Sequence, residues 1–258
     1  MSATQRESKM RRMEGKAAFV TGAASGIGRA TALRLASEGA SVYAVDVAMD
    51  GLEETARLGR EAGAEVVAAR CDVTDEADVR AKVADCVARF GRLDTLCNIA
   101  GILLLDHFLD ITADQFRRIL EVNLVGTFVL TQAALPHLIE SKGSIINTSS
   151  TSALAGMPYG AAYGTSKGGV SAFTRTIAVE FGKQGVRCNA VNPGSILTAM
   201  AGPDVVPKDA DDQLIMRAQP IDRPRKPEVV ASVIAMLASD DGAHINGEEI
   251  RVDGGALA

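Results

Sequence analysis

Residues 16–46 read KAAFVTGAASGIGRATALRLASEGASVYAVD. An apolar run, KAAFVT (16–21), enters a glycine-rich turn, an amphipathic segment runs to Gly39, and a second apolar run, SVYAVD (41–46), follows. Strand, helix-length connection, strand is the unit of a parallel sheet, in which the helix crosses over to bring the second strand beside the first. The strand runs are apolar nearly throughout instead of alternating, as expected of strands buried on both faces.

Working outward, the same rhythm repeats. Further strand-like runs are EVVAAR (65–70), LDTLCN (93–98), SIINTS (144–149), VRCNAVN (186–192) and EEIRVD (248–253), with helix-length amphipathic segments between them. The implied architecture is a doubly wound, Rossmann-type, three-layer α/β fold around a seven-stranded parallel sheet. Thr74-Asp75-Glu76 opens one helix, and Thr112-Ala113-Asp114-Gln115 has the spacing of a capping box. Gly39, Gly63 and Gly91 each close a helical run. The least regular stretch, 194–212, contains Pro203 and Pro207 and is long enough to expect a functional loop. Residues 1–14 carry Arg6, Lys9, Arg11 and Arg12 without an apolar run, which predicts a loose extension instead of a secretory signal. Residues 15–258 then form one domain.

The turn Thr21-Gly22-Ala23-Ala24-Ser25-Gly26-Ile27-Gly28 sits between a strand and a helix. There Gly22, Gly26 and Gly28 permit close approach of main chain to a pyrophosphate, and Ser25 and Ile27 open the helix whose free N–H groups favour an anion. Asp46 ends the second strand eighteen residues after Gly28, where a carboxylate accepts from both hydroxyls of an adenosine ribose and repels a 2′-phosphate. Val47-Ala48-Met49 supplies no cation, so NAD(H) is favoured over NADP(H). Two more strand ends face the same edge of the sheet. Asp72-Val73 could receive the adenine amino group, although Asp72 could also cap the next helix. Asn98-Ile99-Ala100-Gly101 leaves room for the adenosine.

Ser150 follows the fifth strand, and Tyr163-Gly164-Thr165-Ser166-Lys167 lies on the next helix. Tyr163 and Lys167, four residues apart, share a helical face. A phenol with a pKa of ~10 is a poor base at neutral pH, and a neighbouring ammonium is expected to lower it. Tyr163 could then exchange a proton with an alcohol or ketone oxygen that Ser150 holds. Asn123, in the connection between the fourth and fifth strands, is a candidate to order water or the lysine. It also reads as a helix-kink residue.

Composition narrows the partners. The chain has 258 residues, 47% hydrophobic, with a formal charge of −5. An acidic surface disfavours nucleic acid and anionic membranes, and no uninterrupted apolar run approaches the ~18 residues of a membrane span. Cys71, Cys86, Cys97 and Cys188 form no C-x-x-C pair and read as buried thiols in a reducing cytoplasm. No metal site is expected.

Together these motifs resemble the short-chain dehydrogenase/reductase family in its compact subgroup. Thr21-Gly22-x-x-x-Gly26-x-Gly28, Asn98-x-Ala100-Gly101, Asn123, Ser150, Tyr163-x-x-x-Lys167, Asn192-Pro193-Gly194 and Val252-Asp253-Gly254-Gly255 fall in family order at family spacing. The resemblance implies a tetrad of Asn123, Ser150, Tyr163 and Lys167, with Lys167 also on the nicotinamide ribose. It further implies Pro193, Gly194, Ile196 and Thr198 around the carboxamide, and a homotetramer. One departure is Ile99, where the family usually has a second asparagine. The apolar neighbours Leu103, Leu104, Thr151, Leu154, Tyr159, Leu197 and Met200 suggest a small uncharged alcohol or ketone as substrate. The acidic segment with Asp204, Asp209, Asp211 and Asp212 disfavours an anionic one. The rival readings are a reductase of 3-oxoacyl thioesters, which Asp46 disfavours, and a dinucleotide-sensing protein without chemistry, which has no need of a Tyr-Lys pair.

Overall fold

The computed structural model describes residues 11–202, 205–216, 219–221 and 223–258. Seven parallel strands form one sheet in the order β3-β2-β1-β4-β5-β6-β7. They are β1 (Ala17–Thr21), β2 (Ser41–Asp46), β3 (Val66–Arg70), β4 (Thr95–Asn98), β5 (Ser144–Thr148), β6 (Arg187–Pro193) and β7 (Glu249–Val252). The chain starts at β1, winds outward through β2 and β3, then returns to β4 on the other side. That reversal, between β1 and β4, is where an open α/β sheet forms its binding crevice.

Alternation explains the apolar runs. In β1, Ala18 and Val20 join one core while Phe19 between them joins the other, all fully buried. The first core packs α1 (Gly26–Ser37), α2 (Met49–Glu61) and α8 (Glu228–Ala238) on one face. The second packs α3 (Glu76–Phe90), α5 (Gly126–Ser141) and α6 (Ala161–Phe181) on the other. Two short helices, α4 (Ala113–Leu120) and α7 (Asp212–Ile215), lie toward the crevice edge. Local signals match: Asp75 caps α3 by accepting from the Ala77 and Asp78 amides, Thr112 and Gln115 close a capping box on α4, and Gly91 ends α3 in the left-handed region at φ 74°. All four cysteines are free and buried.

One expectation changes, and one feature goes unread in the sequence. Residues 11–14 belong to the folded body. Met13 is fully buried, and Arg12 binds Glu38 at 2.6 Å and Asp241 at 2.8 Å. Glu38 is wholly enclosed and also receives Arg34, so this segment is held by ion pairs to one buried carboxylate as well as by packing. Residues 1–10 lie outside the described residues. Second, α4 and α5 join through a π-helical turn, Glu121–Val125, into one helical stretch, Ala113–Ser141, long and apolar enough to cross a bilayer by length and composition. Reading for uninterrupted apolar runs misses it because polar residues interrupt it. In the fold its Ile119, Val122, Leu130, Ala134 and Leu138 are buried.

Candidate active site

The carboxyl ends of the strands open into a cavity of about 600 Å³. Its floor begins at the β1 turn. Gly22 has φ 66°, and a Cβ there would sit 3.0 Å from the Ala100 nitrogen. A Cβ on Gly28 would stand 2.0 Å from the Gly22 carbonyl oxygen, so α1 can start against the turn only with glycine at that place. The Thr21 hydroxyl accepts from the Ile99 and Ala100 amides, each at 2.9 Å, locking the turn to the end of β4. Because this bond uses main chain at 99, Ile99 in place of asparagine leaves it intact. A free cradle of glycine main chain ahead of a helix N-terminus fits a dinucleotide pyrophosphate. Gly22, Ser25, Gly26, Ile27 and Gly28 all line the cavity.

The acidic strand ends lie beside this cradle. Asp46 accepts from the Ala24 amide at 3.2 Å and the Ala48 amide at 3.1 Å, which fixes its carboxylate at the cavity wall. Asp72 also lines the wall, with Val73. It accepts from the Thr74 amide and hydroxyl, and these bonds hold its carboxyl below the usual range. It does not cap α3, a task that falls to Asp75. Ala100, Gly101, Pro193, Gly194, Ile196 and Thr198 complete the lining around these groups.

The reacting residues meet across β5 and α6. Ser150 leaves β5 as the cap of a single 3-10 turn, Thr151–Ala153, and its hydroxyl accepts from the Ser152 amide at 3.1 Å. Tyr163 and Lys167, one turn apart on α6, face the cavity with Ser150. The Lys167 ammonium lies 5.7 Å from the Tyr163 ring centroid and donates to the Thr148 carbonyl at 2.7 Å. Burial pushes the Tyr163 phenol up, partly offset by its hydrogen bond with Ser150, and pushes the Lys167 ammonium down to about 8. This corrects the sequence expectation. The direction is opposite to the lowering expected of a neighbouring ammonium: desolvation of the enclosed phenol is the largest effect, and the ammonium is turned to a main-chain carbonyl.

Asn98 and Asn123 do not line the cavity. Asn98 is buried beneath it, donating to Asn147 at 2.8 Å and Thr131 at 3.2 Å, where it ties β4 to β5 and α5. Asn123 sits in the π-helical turn, accepts from the Ile102 amide at 2.8 Å, and donates to the Ile102 carbonyl and the Ser166 hydroxyl, both at 3.0 Å. Its hydrogen bonds fall on the loop beside Gly101 and on α6, with none on Lys167. A π-turn interrupts the i−4 ladder and is recurrent at functional sites.

Of the apolar candidates, Leu103, Thr151 and Met200 line the cavity, whereas Leu104, Leu154, Tyr159 and Leu197 do not. Tyr159, at φ 62°, accepts from the Asp211 amide through its hydroxyl at 2.8 Å and stacks edge-on with His107 at 5.1 Å. His107 in turn contacts Asp209 at 3.0 Å. These bonds tie Tyr159 and His107 to Asp211 and Asp209, in the segment that brings Val205, Val206 and Ile215 to the cavity. Asp204 and Pro203, in the loop singled out by sequence, lie outside the described residues. Sequence reading missed Leu105, Met157, Val205, Val206, Ile215 and Leu257, which wall the cavity with apolar surface. They carry no local motif and come from well-separated parts of the chain.

Residues 22–256 match a family model described as enoyl-(acyl carrier protein) reductase. The chain is 38% identical over 247 residues to a 3-oxoacyl-(acyl-carrier-protein) reductase of Thermotoga maritima, covering 95% of this chain and 99% of that one. It is also 38% identical to the meso-2,3-butanediol dehydrogenase of Serratia marcescens, covering 96% of each. Among solved structures, a short-chain dehydrogenase from Mycobacterium paratuberculosis bound to NAD superposes with a TM-score of 0.88 at 34% identity, covering 95% of this chain and 98% of that one.

Proposed function

Since the chain belongs to the short-chain dehydrogenase/reductase family of oxidoreductases, we propose that it is an NAD(H)-dependent enzyme interconverting a secondary alcohol and a ketone. The observation that carries this reading is that Ser150, Tyr163 and Lys167, the lysine 5.7 Å from the tyrosine ring centroid, all face one cavity with the glycine cradle. Gly22, Gly26 and Gly28 would hold the dinucleotide by its pyrophosphate, and the bound group would supply hydride transfer to or from the substrate carbon. Ser150 holds the substrate oxygen, and Tyr163 takes its proton in oxidation or returns it in reduction. Lys167, beneath the ring, stabilises the phenolate that proton transfer leaves. Asn123 supports the site by holding Ile102, and so the loop from Gly101 onward, against α6.

The preference for NAD(H) rests on the fixed Asp46 carboxylate, whose charge opposes a 2′-phosphate, and is in keeping with the NAD-bound neighbour. The apolar wall of Leu103, Leu105, Met157, Met200, Val206 and Ile215 suits an uncharged substrate. A 3-oxoacyl thioester is the second reading, favoured by the Thermotoga relative. A panel of secondary alcohols with NAD⁺, followed by NADH formation, tests the first reading, and 3-oxoacyl thioester with NADPH tests the second. Turnover only in the second assay would overturn our reading. Turnover in neither would leave a sensor.

We further propose one catalytic domain that includes residues 11–14, a cytoplasmic homotetramer. Exposed Val125 and Phe128 on the π-turn and α5, with Val179 on α6, support burial against another copy. Light scattering in solution gives the mass that decides this.

A further inference from the structure

We propose that Glu249, on β7 at the edge of the sheet, is a positioning residue that holds the main chain of both Ser150 and Lys167 through two hydrogen-bonded arms. The inference rests on the Ser150–Tyr163–Lys167 reading above. Along the first arm, the Asn192 amide donates to the Ser150 carbonyl at 3.1 Å and to the Glu249 carboxylate at 3.2 Å. Along the second, the Ser171 hydroxyl donates to the same carboxylate oxygen at 2.7 Å, and Ser149 lies 2.9 Å from Ser171 and 2.9 Å from the Lys167 carbonyl. Arg175 closes on the other carboxylate oxygen from the solvent side.

The proton count makes Glu249 the controlling member. Ser149 and Ser171 own two hydroxyl hydrogens for three contacts. With the Ser171 hydrogen directed to the carboxylate, Ser171 becomes the acceptor, and the Ser149 hydrogen is shared between Ser171 and the Lys167 carbonyl. Without an acceptor at 249, the Ser171 hydrogen and one Asn192 N–H lose their buried partner, and both arms are free to rearrange. Ser149, Ser171 and Asn192 are all nearly or fully buried, so water cannot readily substitute. A strand outside the catalytic motifs thereby sets where two reacting residues stand. Small misplacements at a reacting centre carry large rate effects.

The test compares Glu249→Leu, Glu249→Gln and Ser171→Ala with the wild type. The glutamine keeps an acceptor oxygen for Ser171 and Asn192, while the leucine keeps only size. Expected are a fall in kcat of about tenfold for Glu249→Leu, with KM for the dinucleotide within about twofold. The acid limb of the alcohol-oxidation profile should move to higher pH, because a lysine released from its place supports the phenolate less. Glu249→Gln should recover most of both changes. Unchanged kcat and profile in Glu249→Leu, whatever its melting temperature, would overturn the proposal, as would equal losses in the leucine and glutamine variants. Should Glu249→Leu not fold, Ser171→Ala decides, with a smaller change of the same kind expected and no change overturning it. If the wild type turns over no alcohol, the functional reading fails separately. Amide hydrogen exchange then judges the arms: faster exchange at both 148–152 and 163–168 in Glu249→Leu supports them, and no change overturns them.

Discussion

The Lys167 ammonium donates to the main-chain carbonyl of Thr148 across 2.7 Å. Its lysine is 4% exposed, and no carboxylate forms an ion pair with it among the described residues. This is a charge enclosed for the sake of its neighbour, and enclosure without a counter-charge destabilises the fold.

Replacing Lys167 with methionine is therefore expected to remove activity and raise stability at neutral pH. Its pKa falls from 10.5 unfolded to about 8 folded, a gap worth about 3 kcal/mol. Between these values the unfolded chain binds more protons, so wild-type stability rises as pH climbs from about 8 toward 10.5 and is lowest, for this group, below 8. Lys167→Met lacks that rise. Its advantage in melting temperature should be greatest at pH 7 and shrink toward pH 10.5, less the contribution of the lost bond to Thr148. A variant less stable than wild type at every pH would contradict this.

Tyr163→Phe removes the proton carrier and leaves the glycine cradle untouched. Turnover should fall by about 10²–10⁴-fold, with dinucleotide affinity by calorimetry near that of wild type. Normal turnover would exclude Tyr163 as the acid/base.

Asp46 decides between dinucleotides by charge. The wild type should bind NADH more tightly than NADPH. Asp46→Asn keeps an oxygen for the Ala24 or Ala48 amide while removing the repulsion, and should improve NADPH binding by about tenfold, equivalent to ~1.4 kcal/mol. If the wild type prefers NADPH, the cofactor assignment is wrong.

Glu38 anchors the start of the folded chain. Its side chain is fully enclosed and receives Arg12 and Arg34. Those guanidiniums draw its pKa below the usual 4.5 against the opposing effect of burial. A depressed folded value means its contribution is present above about 4.5 and lost as pH falls through the folded pKa. Glu38→Gln should cost ~3 kcal/mol at pH 7, as when one partner of an enclosed pair is removed. Urea melts should then show a shallower acid dependence below the usual glutamate range. Equal stability at pH 7 would place the network among pairs of no net value.

Much of the fold was legible because each strand run advertises itself locally. β1, β2 and β4 are buried on both faces, so their apolar runs stand out from the amphipathic helices without any knowledge of partners. The cavity edge followed, since Gly22–Gly28, Asp46, Asp72, Ala100–Gly101 and Pro193–Gly194 all sit at or just past strand ends. That Tyr163 and Lys167 share one face of a helix was legible from their spacing, while the role proposed for them needed Ser150 and the family resemblance beside it.

Roles that depend on what lies opposite were not. Asn98 and Asn123 carry the residue types of the motif, yet one ties strands beneath the cavity and the other holds Ile102. Tyr159 looked like a pocket wall and fastens the Asp211 segment instead. Met13 and Arg12 carry no local pattern that marks them as part of the folded body, because burial of a single methionine leaves no periodicity. The substrate wall unites Leu105, Met157, Val206 and Leu257. By itself, the sequence determined the α/β architecture and the chemistry gathered at one sheet edge, since periodicity and strand-end residues are local properties. Only the tertiary structure decided which side chains face the cavity, which hold it from below and how far burial moves their pKa values, because each depends on groups brought together from distant parts of the chain.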